Sequence, residues 1–219
     1  EGTVGTPCGP DNEWFYPLTD EECGRKPCDI NCPCGRYVEI GNDVYMQYKK
    51  TENGYVPLEN KNVDTGFGLD RMLAFLNGLT DGYKTDLFSG AIEYLEKVSG
   101  KKYDDGGEDR KAMRIIADHT RTAVMLIGDV NGILPSNTGA GYILRRLMRR
   151  ATRSCRQLGV APASAMCAVA ADFIDAVYRA AYPPPARQQA PIRAEPQQQA
   201  DRFATLLAQA MSRVARCIP

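Results

Sequence analysis

The spacing of apolar and polar positions in the first third of the chain is typical of β-strands. Residues 12–16 and 36–49 are rich in aromatic and β-branched side chains, and Val38 and Ile40 alternate with more polar neighbours. Within residues 52–55 an Asn-Gly pair provides a turn signal. We therefore expect antiparallel strands joined by a hairpin.

Apolar residues then recur every three or four positions, which predicts helices. The first has an apolar stripe that consists of Leu69, Met72, Leu73 and Leu76, and a following glycine is placed to end it. The same pattern predicts further helices over residues 89–98, 109–128, 141–158, 164–181 and 199–217.

This change of pattern divides the chain into regions. We expect an α+β region, a helical region, a Pro- and Gln-rich linker and a terminal helix, at residues 1–100, 101–182, 183–199 and 200–219. Charge is equally uneven: residues 1–109 carry 21 acidic and 11 basic side chains, a net charge of −10, and the remainder carry 6 and 16, a net charge of +10. The basic half suits a polyanionic partner, although the two halves could instead attract each other.

The 219-residue chain contains no apolar run long enough for a membrane helix and no segment typical of a signal peptide. Its most apolar stretch, residues 161–182, is interrupted by Asp172, Asp175 and Arg179. We therefore expect a cytoplasmic protein without a membrane partner, in which cysteines stay reduced unless they bind metal.

Four cysteines lie close together in the β-rich region, with the spacing C-x4-C-x3-C-x-C: Cys23, Cys28, Cys32 and Cys34. Four thiols this close favour a structural zinc site in a reducing compartment. Asp29 could replace one of them, and the alternative is a loop of reduced thiols.

The segment NVDTGFGLDRM, residues 62–72, combines a carboxylate, two glycines and a guanidinium at a predicted strand-to-helix junction. Asp64 precedes Gly66 and Gly68, and Arg71 follows in the first helical turn. Glycines let a ligand approach the backbone, and a helix N-terminus and an arginine both favour phosphate. The pattern indicates a site for a molecule with an amine and phosphates, with a simple tight turn as the alternative.

A second candidate site is the basic helix predicted over residues 141–158. Its arginines recur at helical spacing and include Arg145, Arg146, Arg149, Arg150 and Arg153. Such a stripe suits a nucleic-acid backbone, and the alternative is a solvated helix face.

Residues 62–72 resemble motif 3 of the class II aminoacyl-tRNA synthetases, in the form found in alanyl-tRNA synthetases. Residues 7–16, 37–48 and 114–151 agree with the same family in order and spacing. The resemblance implies an α+β fold in which part of the antiparallel class II sheet, with flanking helices, is followed by an all-α tRNA-recognition domain.

The resemblance also implies an alanine–tRNA ligase. Such an enzyme activates alanine with ATP and Mg²⁺ to alanyl-adenylate, and then transfers alanine to tRNA(Ala). On this basis Asp64 holds the α-ammonium group of alanine, Asn42 orients the amino acid and Val44 lines the side-chain pocket.

For the nucleotide, the resemblance implies that Gly66 and Gly68 lie beneath the adenosine and that Arg71 contacts the ATP phosphates. For the tRNA, it implies that Asn137 reads a G·U pair in the acceptor stem and that the arginine helix contacts the backbone. No DNA partner is expected.

Two departures from the family pattern affect these expectations. Gly41 stands where the family has tryptophan, which we expect to open one wall of the alanine pocket. The family's motifs 1 and 2 have no counterpart here, so we expect the isolated chain not to form adenylate. The alternative from another class is a non-catalytic RNA-binding protein derived from a synthetase, and a third is a zinc-bearing interaction module with neither activity.

Overall fold

The computed structural model describes residues 3–128 and 132–175. Internal contacts divide the chain into two compact units, Glu1–Thr85 and Asp86–Pro219. The linker and terminal helix predicted after residue 182 lie outside the described residues. Among the described helices, none has the length and hydropathy needed to cross a membrane.

The first unit is built on a four-stranded antiparallel sheet. Its strands are β1 (Pro7–Cys8), β2 (Asp11–Pro17), β3 (Tyr37–Thr51) and β4 (Gly54–Phe67). The same stretch of β3 pairs with both β2 and β4, so these two strands lie along opposite edges of β3. Thr51 pairs with Gly54 across the predicted hairpin turn, which is therefore confirmed.

A short helix, α1 (Leu69–Leu76), follows β4 directly. Its two terminal leucines are 69% and 71% exposed, so the predicted apolar stripe is wrong at both ends. Ala74 is buried instead, and the Phe75 ring packs edge-on against Tyr16 with 4.4 Å between the ring centroids. The physical reason is length, because a helix of two turns has only a short face to bury.

The described part of the second unit contains four α-helices and no strand: α2 (Ser89–Ser99), α3 (Gly107–Gly128), α4 (Gly139–Leu158) and α5 (Pro162–Phe173). The pattern predicted α2, α3 and α4 to within two residues. The predicted end of α5, at residue 181, lies outside the described residues.

These four helices pack against one another around a common core. Its largest fully buried side chains include Leu95, Met113, Ile116, Leu144, Met148 and Met166. Helix α2 packs on α5 and α3 and so belongs to this unit. The compact units therefore divide after Thr85, whereas the sequence pattern changes near residue 100.

Candidate active site and nucleic-acid interface

Strand register brings the predicted amino-acid-binding residues to one face of the sheet. Val44 of β3 lies directly opposite Asp64 of β4, and Asn42 lies opposite Gly66. Directly paired residues of antiparallel strands point to the same face, and that face recurs every second residue. The four positions therefore form one continuous patch, which we call the motif face.

Gly66 makes room for an amide on the motif face. A Cβ at this position would lie 3.2 Å from Oδ1 of Asn42, so the Asn42 side chain leans across the backbone of β4. Strand β2 adds two carboxylates to the same face, because Asp11 lies opposite Val44 and Glu13 opposite Asn42. These acidic side chains were not predicted from the sequence, since only the pairing register shows them beside the motif.

Arg71 is fixed at the junction of β4 and α1. The Gly68 N–H donates to the Ile40 carbonyl at 3.0 Å, and a Cβ on Gly68 would lie 3.1 Å from Cδ of Arg71. Nη1 of Arg71 donates to the Glu39 carbonyl at 2.8 Å and lies 3.4 Å from its carboxylate oxygen Oε2. The arginine thus contacts Glu39, a partner missed in the sequence, and its side chain remains 52% exposed.

The N-terminus of α1 offers backbone donors beside this arginine. Gly68 is the N-cap residue and has no side chain to cap the helix, but the Asp70 carboxylate accepts a hydrogen bond from the Arg71 N–H at 3.2 Å. The first N–H groups of a helix are suited to an anion when no cap occupies them. The junction therefore places the N–H groups that precede Arg71 in the first helical turn near its guanidinium, with the Asp70 carboxylate beside them.

Gly41 faces away from the motif face. It neighbours Asn42 along β3 and therefore points to the other side of the sheet, where it pairs with Phe67. A Cβ on Gly41 would lie 2.6 Å from Cε1 of Phe67 and 2.7 Å from the Gly66 carbonyl oxygen. The register thus contradicts the expectation of an open wall in the alanine pocket, because the Phe67 ring covers this glycine on the opposite face.

Asp43 marks that opposite face. Its carboxylate accepts hydrogen bonds from the Thr65 hydroxyl at 2.7 Å and from the Trp14 indole N–H at 3.0 Å. The Thr65 bond, followed by the Trp14 bond, lowers the pKa of Asp43 below its ordinary value. The half-buried Asp43 and the exposed Asp64 are thus two carboxylates on one sheet with different surroundings.

The connection between β2 and β3 gathers the four predicted cysteine ligands, and we call it the knuckle (residues 18–36). The Sγ atoms of Cys23, Cys28, Cys32 and Cys34 all lie within 4.8 Å of one another. Cys23 and Cys32 have their sulfurs 3.6 Å apart. Tetrahedral zinc with Zn–S bonds of about 2.3 Å places its sulfurs about 3.8 Å apart, so this group could hold a metal.

Arg36 closes the knuckle at the start of β3. Its Nε donates to the Thr19 carbonyl at 2.9 Å, its Nη2 donates to the Asp20 carbonyl at 3.0 Å, and its Nη1 lies 3.7 Å from Sγ of Cys28. This residue was not predicted, because the sequence signal consisted of cysteines alone. The contacts tie a candidate ligand to the backbone of the preceding loop.

Neighbouring groups affect the protonation of the knuckle thiols. The backbone N–H of Cys34 lowers the pKa of the Cys32 thiol. Partial desolvation and hydrogen bonds with the Cys34 and Cys23 thiols outweigh that effect and bring the pKa to about 11. Metal-free Cys32 therefore stays protonated at neutral pH.

Helix α4 presents the predicted arginines to solvent. Its buried side includes Leu144 and Met148, whereas the exposed side carries Arg146, Arg149, Arg150 and Arg153. Asn137 lies just before the helix, is exposed, and accepts a hydrogen bond on Oδ1 from Nη1 of Arg145. The structure therefore joins the predicted reading residue to the predicted basic surface.

His119, the single histidine of the chain, is packed rather than available for catalysis. It is 8% exposed, and its Nδ1 lies 3.0 Å from Oδ2 of Asp118. This pair lies in the second unit, whereas the motif face lies in the first.

Comparison with known proteins identifies the family of these motifs. A family model described as tRNA synthetases class II (A) matches residues 2–219. The chain is similar to the alanine–tRNA ligase of Borrelia hermsii, with 45% identity over 83% of the chain and 30% of that protein. It is similar to that of Treponema denticola, with 48% identity over 76% of the chain and 29% of that protein. The chain spans less than a third of the length of these curated relatives.

Proposed function

Because the chain belongs to the class II tRNA synthetases, we propose that it supplies motif 3 and a tRNA-contacting segment of an alanine–tRNA ligase. The observation that carries this proposal is the motif face, where Asn42, Val44 and Asp64 lie together on two paired strands. Similarity of the chain to ligases that bear this name supports alanine as the amino acid.

In the first step of the proposed reaction, alanine forms an anhydride with AMP. A carboxylate oxygen of alanine attacks the α-phosphorus of ATP, the bond to the β-phosphate oxygen breaks, and pyrophosphate leaves. Asp64 pairs with the α-ammonium group, Asn42 orients the amino acid and Val44 lines the pocket for its methyl group. Catalysis of this kind depends on positioning and charge stabilisation rather than on a protein nucleophile.

The nucleotide would lie along the junction of β4 and α1. Gly66 and Gly68 allow the adenosine to approach the backbone, and Arg71 and the first N–H groups of α1 contact the phosphates. ATP binds with Mg²⁺, which neutralises part of the phosphate charge. Engagement of the phosphates requires the Arg71 guanidinium to turn partly from Glu39, which its exposure allows.

In the second step, a ribose hydroxyl of the terminal tRNA nucleotide attacks the alanyl carbonyl and AMP leaves. We propose that the acceptor stem lies along the exposed arginines of α4, with Asn137 beside a G·U pair. Support comes from a helix face whose arginines are exposed.

We also propose that the knuckle binds one structural Zn²⁺ through Cys23, Cys28, Cys32 and Cys34. The sulfur spacing fits a tetrahedral site, and thiolates are preferred ligands of zinc. The metal would fix the connection between β2 and β3, and it takes no part in the reaction.

A chimaeric enzyme tests the function. Residues 3–175 replace the matching segment of the Borrelia hermsii alanine–tRNA ligase, and ATP–pyrophosphate exchange is measured with alanine, glycine and serine. We expect exchange that depends on alanine and is at least about tenfold slower with the other amino acids, since small differences in side chain are worth about 1–3 kcal/mol. A folded chimaera that has no ATP–pyrophosphate exchange activity, or that shows no preference for alanine, contradicts the proposal.

A further inference from the structure

Arg145 differs from the other arginines of α4. It is half-buried, whereas Arg146, Arg149 and Arg153 are exposed. Within the described part of the chain, those three arginines form no hydrogen bond or ion pair. Arg145 instead donates from Nη1 to Oδ1 of Asn137, so its guanidinium is already engaged within the protein.

Two further contacts restrict where Arg145 can lie. Its guanidinium carbon is 5.6 Å from the centre of the Tyr142 ring, one turn earlier on the same helix. A guanidinium over an aromatic face is attracted by the ring electrons. Arg145 is therefore held between Tyr142 and the Asn137 amide, and less of it is available to RNA phosphates.

The loop that carries Asn137 is braced on both sides of that residue. The Ser136 N–H donates to the Gly141 carbonyl at 3.0 Å, and the Ser136 hydroxyl donates to the Thr138 carbonyl at 2.7 Å. A Cβ on Gly141 would lie 2.9 Å from Cβ of Ser136, so the loop packs directly on the first turn of α4. With the backbone fixed, the main freedom left to Asn137 is rotation of its side chain.

Arginine chemistry settles the direction of the Asn137 amide. A guanidinium has five N–H donors and no acceptor, so only the carbonyl oxygen of the amide can face it. The amide NH₂ group then points away from Arg145 with two donors. Asn137 accordingly offers donors, and not its acceptor, to a ligand on its exposed side.

We propose that Arg145 is a positioning residue for base-pair selection: it fixes the Asn137 amide so that its NH₂ group addresses acceptor atoms in the minor groove of the acceptor stem. This inference rests on the proposed tRNA contact. The base edges of a wobble pair are displaced relative to those of a G·C pair. A hydrogen-bond donor held in one direction therefore binds one pair better than the other. An amide that rotates freely adapts to both pairs and loses that selectivity.

The test measures binding of the purified chain to two RNA hairpins that differ in one acceptor-stem pair, G·U or G·C. Fluorescence anisotropy at one fixed salt concentration gives both dissociation constants, because affinity for RNA depends strongly on salt. The variants are R145M and its matched control R146M, which each remove one charge from adjacent positions and keep an apolar stem. N137A and the double variant N137A/R145M complete a double-mutant cycle. Thermal unfolding of each variant checks the fold.

For the wild-type chain we expect a preference for G·U on the order of tenfold, in the range of one well-placed base contact. R145M should reduce this preference to less than about twofold, and adding R145M to N137A should change it no further, since the two residues act together. R146M should weaken binding of both hairpins equally and keep the preference.

The binding data distinguish failure of the tRNA contact from failure of the Arg145 role. If the wild-type chain binds the G·U and G·C hairpins equally well, this chain does not recognise the base pair. A wild-type preference that N137A removes and R145M leaves intact overturns the positioning role of Arg145 alone. Equal effects of R145M and R146M on the preference overturn it as well, because a general loss of charge then explains both.

Discussion

Asp43 and Asp64 show how strand alternation separates two identical side chains. Both are carboxylates of one sheet, but the exposed Asp64 lies on the motif face with Asn42, and the half-buried Asp43 lies on the other face. There the Thr65 hydroxyl and the Trp14 indole N–H occupy the Asp43 oxygens. We infer that Asp64 is the carboxylate for an ammonium ligand, and that Asp43 has a structural role.

The structural role of Asp43 predicts a pH effect. Its two hydrogen bonds favour the ionised form, so its folded pKa lies below the unfolded value of 3.8. Their contribution to stability is complete above pH 3.8 and is lost as the pH falls through the folded pKa. Thr65→Val should therefore raise the pKa of Asp43, and Thr65→Ser, which keeps the hydroxyl, should leave it low. A carbon NMR titration of the Asp43 carboxyl checks this, and an unchanged pKa in Thr65→Val contradicts it.

Among the elements, the knuckle connects the four-cysteine group to strand β3. Arg36 holds the Thr19 and Asp20 carbonyls and contacts Cys28, and β3 continues from it towards Glu39 and Asn42. A group that donates to a ligand sulfur orients the ligand and stabilises its charge. Arg36 therefore joins a candidate zinc site to the strand that carries half of the motif face.

This arrangement predicts a measurable difference between two arginines of the knuckle. The purified chain should contain about one zinc per molecule, and Arg36→Met should lower zinc affinity about 10–100-fold, as loss of an outer-shell partner does. Arg25→Met is the matched control, since Arg25 is exposed and, within the described residues, contacts none of the four sulfurs. Elemental analysis and competition with a chromogenic chelator measure both. A zinc-free chain, or equal affinities in the two variants, is the contradicting result.

Helices α1 and α4 show which elements a sequence pattern predicts well. Five turns of α4 give a long periodic signal, and its exposed arginines and buried Leu144 follow that signal. The pattern failed in the two-turn α1, where Leu69 and Leu76 are exposed. Local spacing also gave the motif residues but not their cross-strand partners, such as Glu39 and Phe67, because strand register is a long-range property.

At the scale of the whole molecule, the two compact units carry two different chemistries. The first holds the motif face, Arg71 and the knuckle, and the second holds Asn137 and the arginine helix. The first unit is also acidic, with 14 acidic and 8 basic side chains, and the second is basic, with 13 and 19. In the proposed ligase, the first unit would act on the amino acid and nucleotide while the second selects the RNA.

If Asp64 binds the ammonium group of alanine, its loss must change the KM for alanine, which ATP–pyrophosphate exchange by the chimaeric ligase measures. Asp64→Asn should raise this KM about 10–100-fold, because a hydrogen bond to a charged group is worth about 1.5–3 kcal/mol. Asp43→Asn, on the opposite face of the same sheet, keeps a side-chain oxygen that can accept from Thr65 and should change the KM by less than about twofold. If Asp64→Asn leaves the KM unchanged, or if both substitutions raise it equally, the motif face is not the alanine site.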